Sequence, residues 1–258
     1  MQLFDTTHIL YISISLVITI ILLIICGLFV KKDWIKDLIF KIVSILVVAI
    51  HYSIVYVDFF KTGEVRGNNT LILPIYPCNI IMWFMVIIAF VRKKDTLFYR
   101  MLSEFTAIIG TFCVLFGILL NEIYVGSVGL ADWDVLNGLL AHSVLLFGTL
   151  YLFVSGRVKF SVFNTLSVIA GLLFFVVDGL IINGLFSLFN INAVNSMYLQ
   201  NNPFPEMPWI NVGTIGIIAI SVVFITTVII EQITVKPEHR WYNKLKLLFS
   251  KHKQASKD

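Results

Sequence analysis

The stretch His8–Val30, HILYISISLVITIILLIICGLFV, decides the fold class because its 23 positions contain no Asp, Glu, Lys or Arg. A helix needs about 20 predominantly apolar residues to cross the hydrocarbon core of a bilayer. Lys31 and Lys32 follow the stretch at once, as in a stop-transfer segment. No basic residue precedes it and it is longer than the apolar region of a signal peptide, so we expect a retained membrane-spanning helix.

The composition extends this interpretation to the whole chain of 258 residues. Hydrophobic residues make up 59% of it, charged residues only 13%, and the mean hydropathy is +0.93. A soluble domain carries about 25% charged residues, so soluble enzymes and disordered chains are excluded. The three cysteines, Cys26, Cys78 and Cys113, lie in apolar segments, which argues against a disulfide framework. The net charge of +4 does not indicate nucleic-acid binding, because the basic residues form short clusters between apolar runs.

Seven apolar runs of spanning length follow one another along the chain, at 8–30, 38–60, 71–92, 97–120, 135–156, 160–183 and 209–231. Strands of membrane β-barrels have about 10 residues of alternating polarity, whereas these runs are twice as long and do not alternate. We therefore predict an all-α fold, a polytopic membrane helical bundle. Its seven transmembrane helices occupy residues 1–235, and a basic cytoplasmic tail occupies residues 236–258.

The distribution of Lys and Arg predicts the orientation of this bundle. Of the 19 basic residues, 17 lie in the tail or in the connections after the first, third and fifth runs. Because cytoplasmic loops carry an excess of Lys and Arg, we predict that the N-terminus is outside and the C-terminus inside. The abundance of Ile, Asn and Lys is typical of AT-rich bacterial genomes, which favours a multi-pass protein of the bacterial plasma membrane.

The tail has two interpretations. Basic and apolar residues alternate between His239 and Phe249. As a helix, this segment would lie on the anionic cytoplasmic leaflet. The alternative is a solvated anchor that only fixes the topology.

Ionisable residues inside membrane spans are costly and are candidates for function. His51, Cys78, His142 and Asp178 all fall about 8 to 13 Å below the predicted outer surface, counted at 1.5 Å of helix per residue. Glu104 lies nearer the inner face. A lone Cys or His in a span can also serve only to pack or hydrogen-bond neighbouring helices. The shared depth favours one common site.

The segment Leu73–Asn79, LPIYPCN, indicates that Cys78 is a nucleophile. Pro74 and Pro77 remove backbone donors and disfavour helix just before each of them. We therefore expect an irregular start to the third span, with Cys78 near the N-terminus of the regular helix. Unpaired N–H groups and the helix dipole favour a thiolate there, and a nearby imidazole would act as base. The rival thiol, Cys113, lies in an unbroken apolar run and is assigned to packing.

The connection between the sixth and seventh spans is rich in uncharged amides, aromatic residues and prolines. It includes Asn195 and Tyr198 and ends in Pro203-Phe204-Pro205 and Pro208-Trp209. Such residues suit an ordered cap that hydrogen-bonds the phosphate or glycerol groups of a lipid without burying charge. The alternative is an ordinary interfacial belt with Trp and Tyr anchors.

These motifs resemble those of a known family, the bacterial integral membrane proteins related to eukaryotic transmembrane protein 164. The family pattern has an L-P-x-H-x-C segment, a later S/A-H on a downstream span, and an N-Y-M-x-L…P stretch before the last span. The corresponding segments here are Leu73–Cys78, Ala141–His142 and Asn195–Leu199 with Pro203. Two positions depart from the pattern: Tyr76 stands where the family usually has His, and Ser196 where it usually has Tyr.

The eukaryotic relative resembles a lipid acyltransferase with a Cys/His pair, so the resemblance implies a membrane-embedded acyltransferase here. Cys78 would be the nucleophile and His142 its base, moving a fatty acyl chain from a phospholipid through a Cys thioester to a lysolipid-type acceptor. An outward-facing site has no access to cytoplasmic acyl-CoA, which favours a phospholipid donor. The sequence has no zinc-type Cys/His spacing and no Gly-rich phosphate loop, and we expect neither a metal nor a cofactor.

Six further residues have expected supporting or substrate-binding roles. His51 or Asp178 would orient His142, and backbone N–H groups after Cys78 would stabilise the oxyanion of the reaction. The full set of supporting candidates is His51, Asp178, Tyr76, Asn79, Asn195 and Tyr198.

Two other classes of protein stay open at this point. A small-solute or proton-coupled membrane transporter would use the buried His and Asp side chains. The lack of an obvious internal repeat and the outer position of the candidates weigh against a transporter. A seven-span receptor or structural partner protein is less favoured because the chain has no extended cytoplasmic loop.

Overall fold

The computed structural model describes residues 3–63, 73–120, 132–189, 195–202, 207–243 and 246. Within these ranges the chain forms α-helices, two short 3₁₀ helices and no β-strand. The helices are α1 (Thr6–Phe29), α2 (Asp33–Thr62), α3 (Pro77–Phe90), α4 (Leu97–Leu119), α5 (Trp133–Val154), α6 (Asn164–Leu188) and α7 (Val212–Thr234). The 3₁₀ helices are Ser196–Tyr198 and Pro237–His239. The predicted all-helical fold is confirmed over this part of the chain.

Six of these helices are long and apolar enough to cross a membrane, and α3 is the shorter apolar exception. Its 14 residues span about 21 Å at 1.5 Å per residue, less than the 30 Å of a typical hydrocarbon core. The apolar run extends from 71 to 92 but the regular helix begins only at Pro77, as expected from the irregular start predicted for this span. The physical reason is the pair Pro74 and Pro77, because helix is disfavoured before each proline.

The bundle is built around α4 and α5. The two helices pack against each other; α4 also contacts α3 and α6, and α5 contacts α1 and α2. By contrast, α1 and α7 bury few residues and present apolar side chains outward. This is the arrangement expected of a bundle whose outer helices face lipid.

Glycines allow close packing in the centre of the bundle. A methyl group added at Gly148 of α5 would lie 2.1 Å from Met85 Cε of α3. A methyl group at Gly171 of α6 would lie 2.1 Å from the ring of Phe105 of α4. Small residues at such contacts let helices approach closely where no hydrophobic effect drives them together.

Polar side chains also join the helices. On α5, Ser143 Oγ accepts a hydrogen bond from Ser15 Oγ of α1 at 2.8 Å and lies 2.7 Å from Tyr11 Oη. Glu104 of α4, which the sequence placed near the inner face, accepts a hydrogen bond from Ser167 of α6. Its carboxylate therefore ties two helices together and lies away from the other ionisable candidates.

The start of the tail is fixed to the end of α7. The buried carboxylate of Glu231 accepts hydrogen bonds from Val162 N at 3.1 Å and from Trp241 N at 2.7 Å. Arg240 donates from Nε to Val235 O at 3.0 Å. The chain thus turns back on itself directly after α7. Residues 244, 245 and 247–249 of the predicted membrane-surface segment lie outside the described residues.

Candidate active site

The irregular start of α3 places Cys78 at the second position of the helix. Tyr76 precedes the helix in an extended conformation (φ −106°, ψ 152°), and Pro77 is its first residue. The expected position of Cys78 near a helix N-terminus is therefore confirmed. Tyr76 O accepts the N–H groups of Asn79 at 3.0 Å and Ile80 at 3.3 Å, and the backbone amides of Cys78 and Asn79 lie against the sulfur.

The thiol of Cys78 has a hydrogen-bond partner on its own helix. Sγ donates to Asn79 Oδ1 at 3.5 Å, and the Asn79 amide in turn donates to Leu73 O at 3.5 Å. The sulfur is therefore turned toward Asn79 in this state. Catalytic hydrogen bonds often tighten only when substrate is bound.

A cavity of about 30 Å³ lies between α2, α3 and α5. Each helix contributes one of the polar candidates: His51 comes from α2, Cys78 from α3 and His142 from α5. Asn79 and the apolar side chains Val47, Met82, Ala141 and Leu145 complete the wall. A cavity needs about 10–15 Å³ by this measure to hold one water molecule, so this one has room for a small group such as an ester carbonyl.

A backbone hydrogen bond orients the imidazole of His142. Nδ1 lies 2.7 Å from Gly138 O, one turn earlier on α5. Because a carbonyl oxygen can only accept, Nδ1 carries the hydrogen, and in the neutral ring Nε2 keeps a free lone pair. This is the tautomer that a general base acting through Nε2 requires.

The edge of the same ring rests on a glycine of α4. A methyl group added at Gly117 would lie 2.3 Å from His142 Nε2 and 2.4 Å from its Cδ2. The backbone of α4 is held at this point, because the buried His8 donates from Nε2 to Ile118 O at 3.0 Å. Gly138 and Gly117 therefore fix the ring from two sides.

His51 lies close to His142, and its helix is tied to α5. Both imidazoles line the same cavity, and the ring of His51 meets that of Tyr52 edge-on at 5.1 Å. One turn before His142, the buried amide of Asn137 donates to Ile50 O and, at 2.8 Å, to Ser53 Oγ. These bonds join α2 and α5 beside the cavity.

The segment before Cys78 is anchored by a distant part of the chain. Ile75 O accepts hydrogen bonds from Ser196 Oγ at 3.1 Å and from Met197 N at 3.0 Å. Asn183 of α6 holds Ser196 on its other side, accepting from Ser196 N at 2.8 Å and donating to Ser196 O at 3.1 Å. Met197 has φ 53°, in the left-handed region, which is sparsely populated by residues other than glycine.

The segments Leu73–Cys78 and Asn195–Leu199 are thus in direct contact, although more than 100 residues separate them. This contact and the cavity both lie within residues 3–232, which match the model of the TMEM164 family. The chain belongs to the TMEM164 family. No curated protein and no solved structure matches it. With its six apolar helices of spanning length, this TMEM164 family member is a multi-pass membrane protein.

Four of the supporting candidates in this TMEM164 family member do not line the cavity. Asp178 lies on α6, and its Oδ2 is buried with no hydrogen-bond partner in the part of the chain that the structure describes. Tyr76 is 41% exposed and lies with its ring 5.9 Å from that of Tyr198. Asn195 Oδ1 accepts the N–H groups of Gln200 and Asn201, which orders the connection to α7. Among the described residues, no group of three or more His, Cys, Asp or Glu is placed to hold a metal ion.

Sequence reasoning missed the groups that orient the predicted pair. The carbonyl of Gly138 and the absent side chain of Gly117 leave no signal in the chemistry of the residues. Asn137 was detectable as a buried amide within an apolar run, which is typical of an interhelical hydrogen bond. Asn183 was detectable in the same way. The rival thiol, Cys113, packs against the core on α4 close to Cys78.

Proposed function

We propose that this protein is a membrane-embedded lipid acyltransferase with Cys78 as nucleophile and His142 as general base. The observation that carries the proposal is the shared cavity of the two side chains, with Nε2 of the neutral His142 ring left unprotonated. A nucleophile beside an oriented base is the arrangement that covalent acyl transfer needs. The TMEM164 family match supports the membrane setting.

The reaction has two halves that share one proton carrier. In the first, the thiol turns from Asn79, His142 takes its proton, and the sulfur attacks the ester carbonyl of a phospholipid. The ester C–O bond breaks, the lysolipid leaves with the proton from His142, and the acyl chain stays on Cys78 as a thioester. In the second, His142 takes the proton of an acceptor hydroxyl, which attacks the thioester and releases the thiol.

The start of α3 supplies groups for the charge that develops in this reaction. The backbone N–H of Cys78 lies in the first turn of α3, and the positive end of a helix dipole favours an anion. This N–H can donate to the oxyanion of the tetrahedral intermediate. In this proposal His51 contributes a second imidazole near His142, and Asp178 takes no part.

The cavity size limits how the substrate binds. A volume of about 30 Å³ accepts an ester carbonyl, so both acyl chains stay between the helices and the bilayer. The proposed orientation places the N-terminus outside, the basic connections inside and the cavity near the outer headgroups. In that topology α3, together with the segment before it, makes the third of seven membrane crossings. The donor is then a phospholipid of the outer leaflet and the acceptor a lysolipid.

Intact-protein mass spectrometry tests the covalent step. The purified full chain is incubated with a phospholipid of defined acyl composition, and one acyl mass is expected on the protein. Hydroxylamine should remove that mass, because it cleaves thioesters. The Cys78→Ala variant should gain no mass. Cys113→Ala is the matched control, with a half-buried thiol on the neighbouring helix, and it should acylate as the wild type does.

A proton pathway is the second candidate, since two imidazoles line a cavity large enough for a water molecule. Proteoliposomes with an internal pH dye distinguish the two. An acyltransferase gives the thioester mass without proton flux, whereas a proton pathway gives flux that His51→Ala or His142→Ala removes. Flux without acylation of Cys78 would overturn the enzyme proposal.

A further inference from the structure

A second cavity lies at the opposite end of the bundle, where the chain passes from α3 to α4. Its volume is about 490 Å³. The wall carries three cationic side chains, from Lys94, Arg100 and Arg157, and one carboxylate, from Asp95. None of these residues belongs to the proposed acyl-transfer machinery, so the site has to be explained separately.

Arg157 is held rigidly in this wall by the turn that follows α5. Gly156 has φ 78°, a left-handed conformation that glycine adopts without strain. The turn brings the N–H groups of Arg157 and Val158 to Leu152 O at 3.1 and 3.0 Å. The guanidinium lies 4.6 Å from the ring centre of Phe40, and the side chain is only 10% exposed.

The hydrogen-bonding capacity of Arg157 is only partly used. Nη2 donates to Asp37 Oδ1, while Lys94 donates to Asp37 Oδ2. Nη1 is buried and has no acceptor among the described residues. Leaving a buried charged donor unpaired costs more than leaving a neutral one unpaired. Arg157 also lines the cavity, so an anion bound there lies beside this guanidinium.

The N-terminus of α4 adds further donors to the same wall. Thr96 caps the helix by accepting Tyr99 N at 3.2 Å, and α4 begins at Leu97. The positive end of the helix dipole and the free first-turn N–H groups favour a bound anion. Arg100 is 66% exposed, and its Nε is 3.8 Å from Glu104 Oε1, so its guanidinium remains available to a ligand.

We propose that this cavity binds a phosphate group, either the headgroup of an anionic phospholipid or a free phosphate. Guanidinium groups bind phosphate oxygens in a fixed two-pronged geometry, and Arg157 and Arg100 present two of them beside the start of α4. Asp37 neutralises part of the charge on Arg157 and Lys94 and orients both side chains. The unpaired Nη1 of Arg157 then donates to a phosphate oxygen.

Native mass spectrometry of the full chain in a neutral detergent tests this site. The probes are phosphatidylglycerol, diacylglycerol with the same chains, and inorganic phosphate. We expect one tightly bound phosphatidylglycerol and no comparable binding of diacylglycerol. Displacement of the lipid by millimolar phosphate would show that the phosphate group alone is recognised. Resistance to displacement would show that a lipid headgroup is the ligand. Binding of neither phosphate-bearing probe would overturn the proposal.

Three charge-removing variants locate the binding. Arg157→Gln should weaken phosphatidylglycerol binding about tenfold or more, as expected for a lost charge-assisted hydrogen bond. Arg100→Gln should weaken phosphatidylglycerol binding about threefold to tenfold. Because this side chain is exposed, the substitution leaves the packed core of the bundle intact. Lys159→Gln is the matched control, exposed and two residues from Arg157, and should bind as the wild type does. Equally weakened phosphatidylglycerol binding in all three variants, or unchanged binding in all three, would overturn the proposal.

Discussion

The two ends of this membrane protein carry cavities of opposite character. The cavity of Cys78 and His142 holds about 30 Å³ and is walled by uncharged and apolar side chains around two imidazoles and a thiol. The cavity of Arg157 holds about 490 Å³ and is walled by three cationic groups and one carboxylate. Along α5, the twelve positions from His142 to the end of the helix at Val154 separate the two by about 18 Å at 1.5 Å per residue.

This difference indicates what each end is suited to do. A small cavity that brings a thiol and two imidazoles together favours chemistry on a group the size of a carbonyl. A charged ligand loses little of its hydration on entering a large cationic cavity. Such a cavity therefore favours recognition of a charged group at the membrane surface. We therefore expect mutations at the first end to change acyl transfer and mutations at the second to change anion binding.

Loss of the nucleophile or the base should have the largest effect on acyl transfer. Cys78→Ala removes the covalent path and should lower transfer by about 10³-fold or more. His142→Ala removes the general base and should lower it by about 10²- to 10⁴-fold. The measurement is the initial rate of exchange of a labelled acyl chain between phosphatidylcholine and a lysolipid.

Cys113→Ala sharpens this test because the sulfur it removes lies close to Cys78. It should leave the exchange rate nearly unchanged. Full turnover in the Cys78→Ala and His142→Ala variants, with folded protein in detergent, would show that the assignment is wrong.

Gly117→Ala should have the next largest effect. The new methyl group would lie 2.3 Å from His142 Nε2, so the ring must move away from α4. Displacement of a catalytic group by about 1 Å costs on the order of 10²-fold in rate. Gly184→Ala on α6 is the control, because a methyl group there meets nothing within 4 Å. Equal exchange rates in the two variants would contradict the role of Gly117 in positioning His142.

The fold was largely predictable because hydrophobic length is a strong signal in a membrane protein. Six of the predicted runs correspond to the helices α1, α2, α4, α5, α6 and α7, with ends shifted by a few residues. The late start of α3 was predictable from Pro74 and Pro77, whereas its length of 14 residues was not. The orientation of the bundle stays a prediction.

The candidate site was only partly predictable from residue chemistry. Depth counted along each span grouped His51, Cys78 and His142, which do share a cavity, but it also grouped Asp178, which does not line it. Depth gives the level of a side chain and not the side of the helix on which it lies. The groups that orient His142, a carbonyl at Gly138 and a gap at Gly117, depend on packing that no single sequence pattern encodes.

Asn183→Leu should have a moderate effect on stability and a smaller one on transfer. The change removes both hydrogen bonds to the backbone of Ser196 and leaves its buried N–H unpaired, whereas Ser196 O still accepts from Leu199 N at 3.2 Å. We expect a loss of about 1–3 kcal/mol, seen as a lower melting temperature in detergent. Gln200→Ala, on the exposed end of the same segment, should leave the melting temperature unchanged. A melting temperature of Asn183→Leu equal to that of Gln200→Ala would contradict the anchoring role of the contact between Asn183 and Ser196.

Asp37→Asn should have the smallest effect on acyl transfer and therefore tests the separation of the two ends. The substitution removes the carboxylate that pairs with Arg157 and Lys94, while the 35% exposed side chain limits the loss of stability to about 1–2 kcal/mol. The exchange rate should stay within twofold of the wild type. The reason is that Asp37 contacts Lys94 and Arg157, which lie at the end of the bundle opposite to Cys78. Phosphatidylglycerol binding should change at the same time, since Arg157 and Lys94 lose their orienting partner. A parallel fall in transfer and lipid binding would mean that the cationic cavity acts on the site of Cys78 through the intervening turns of α5.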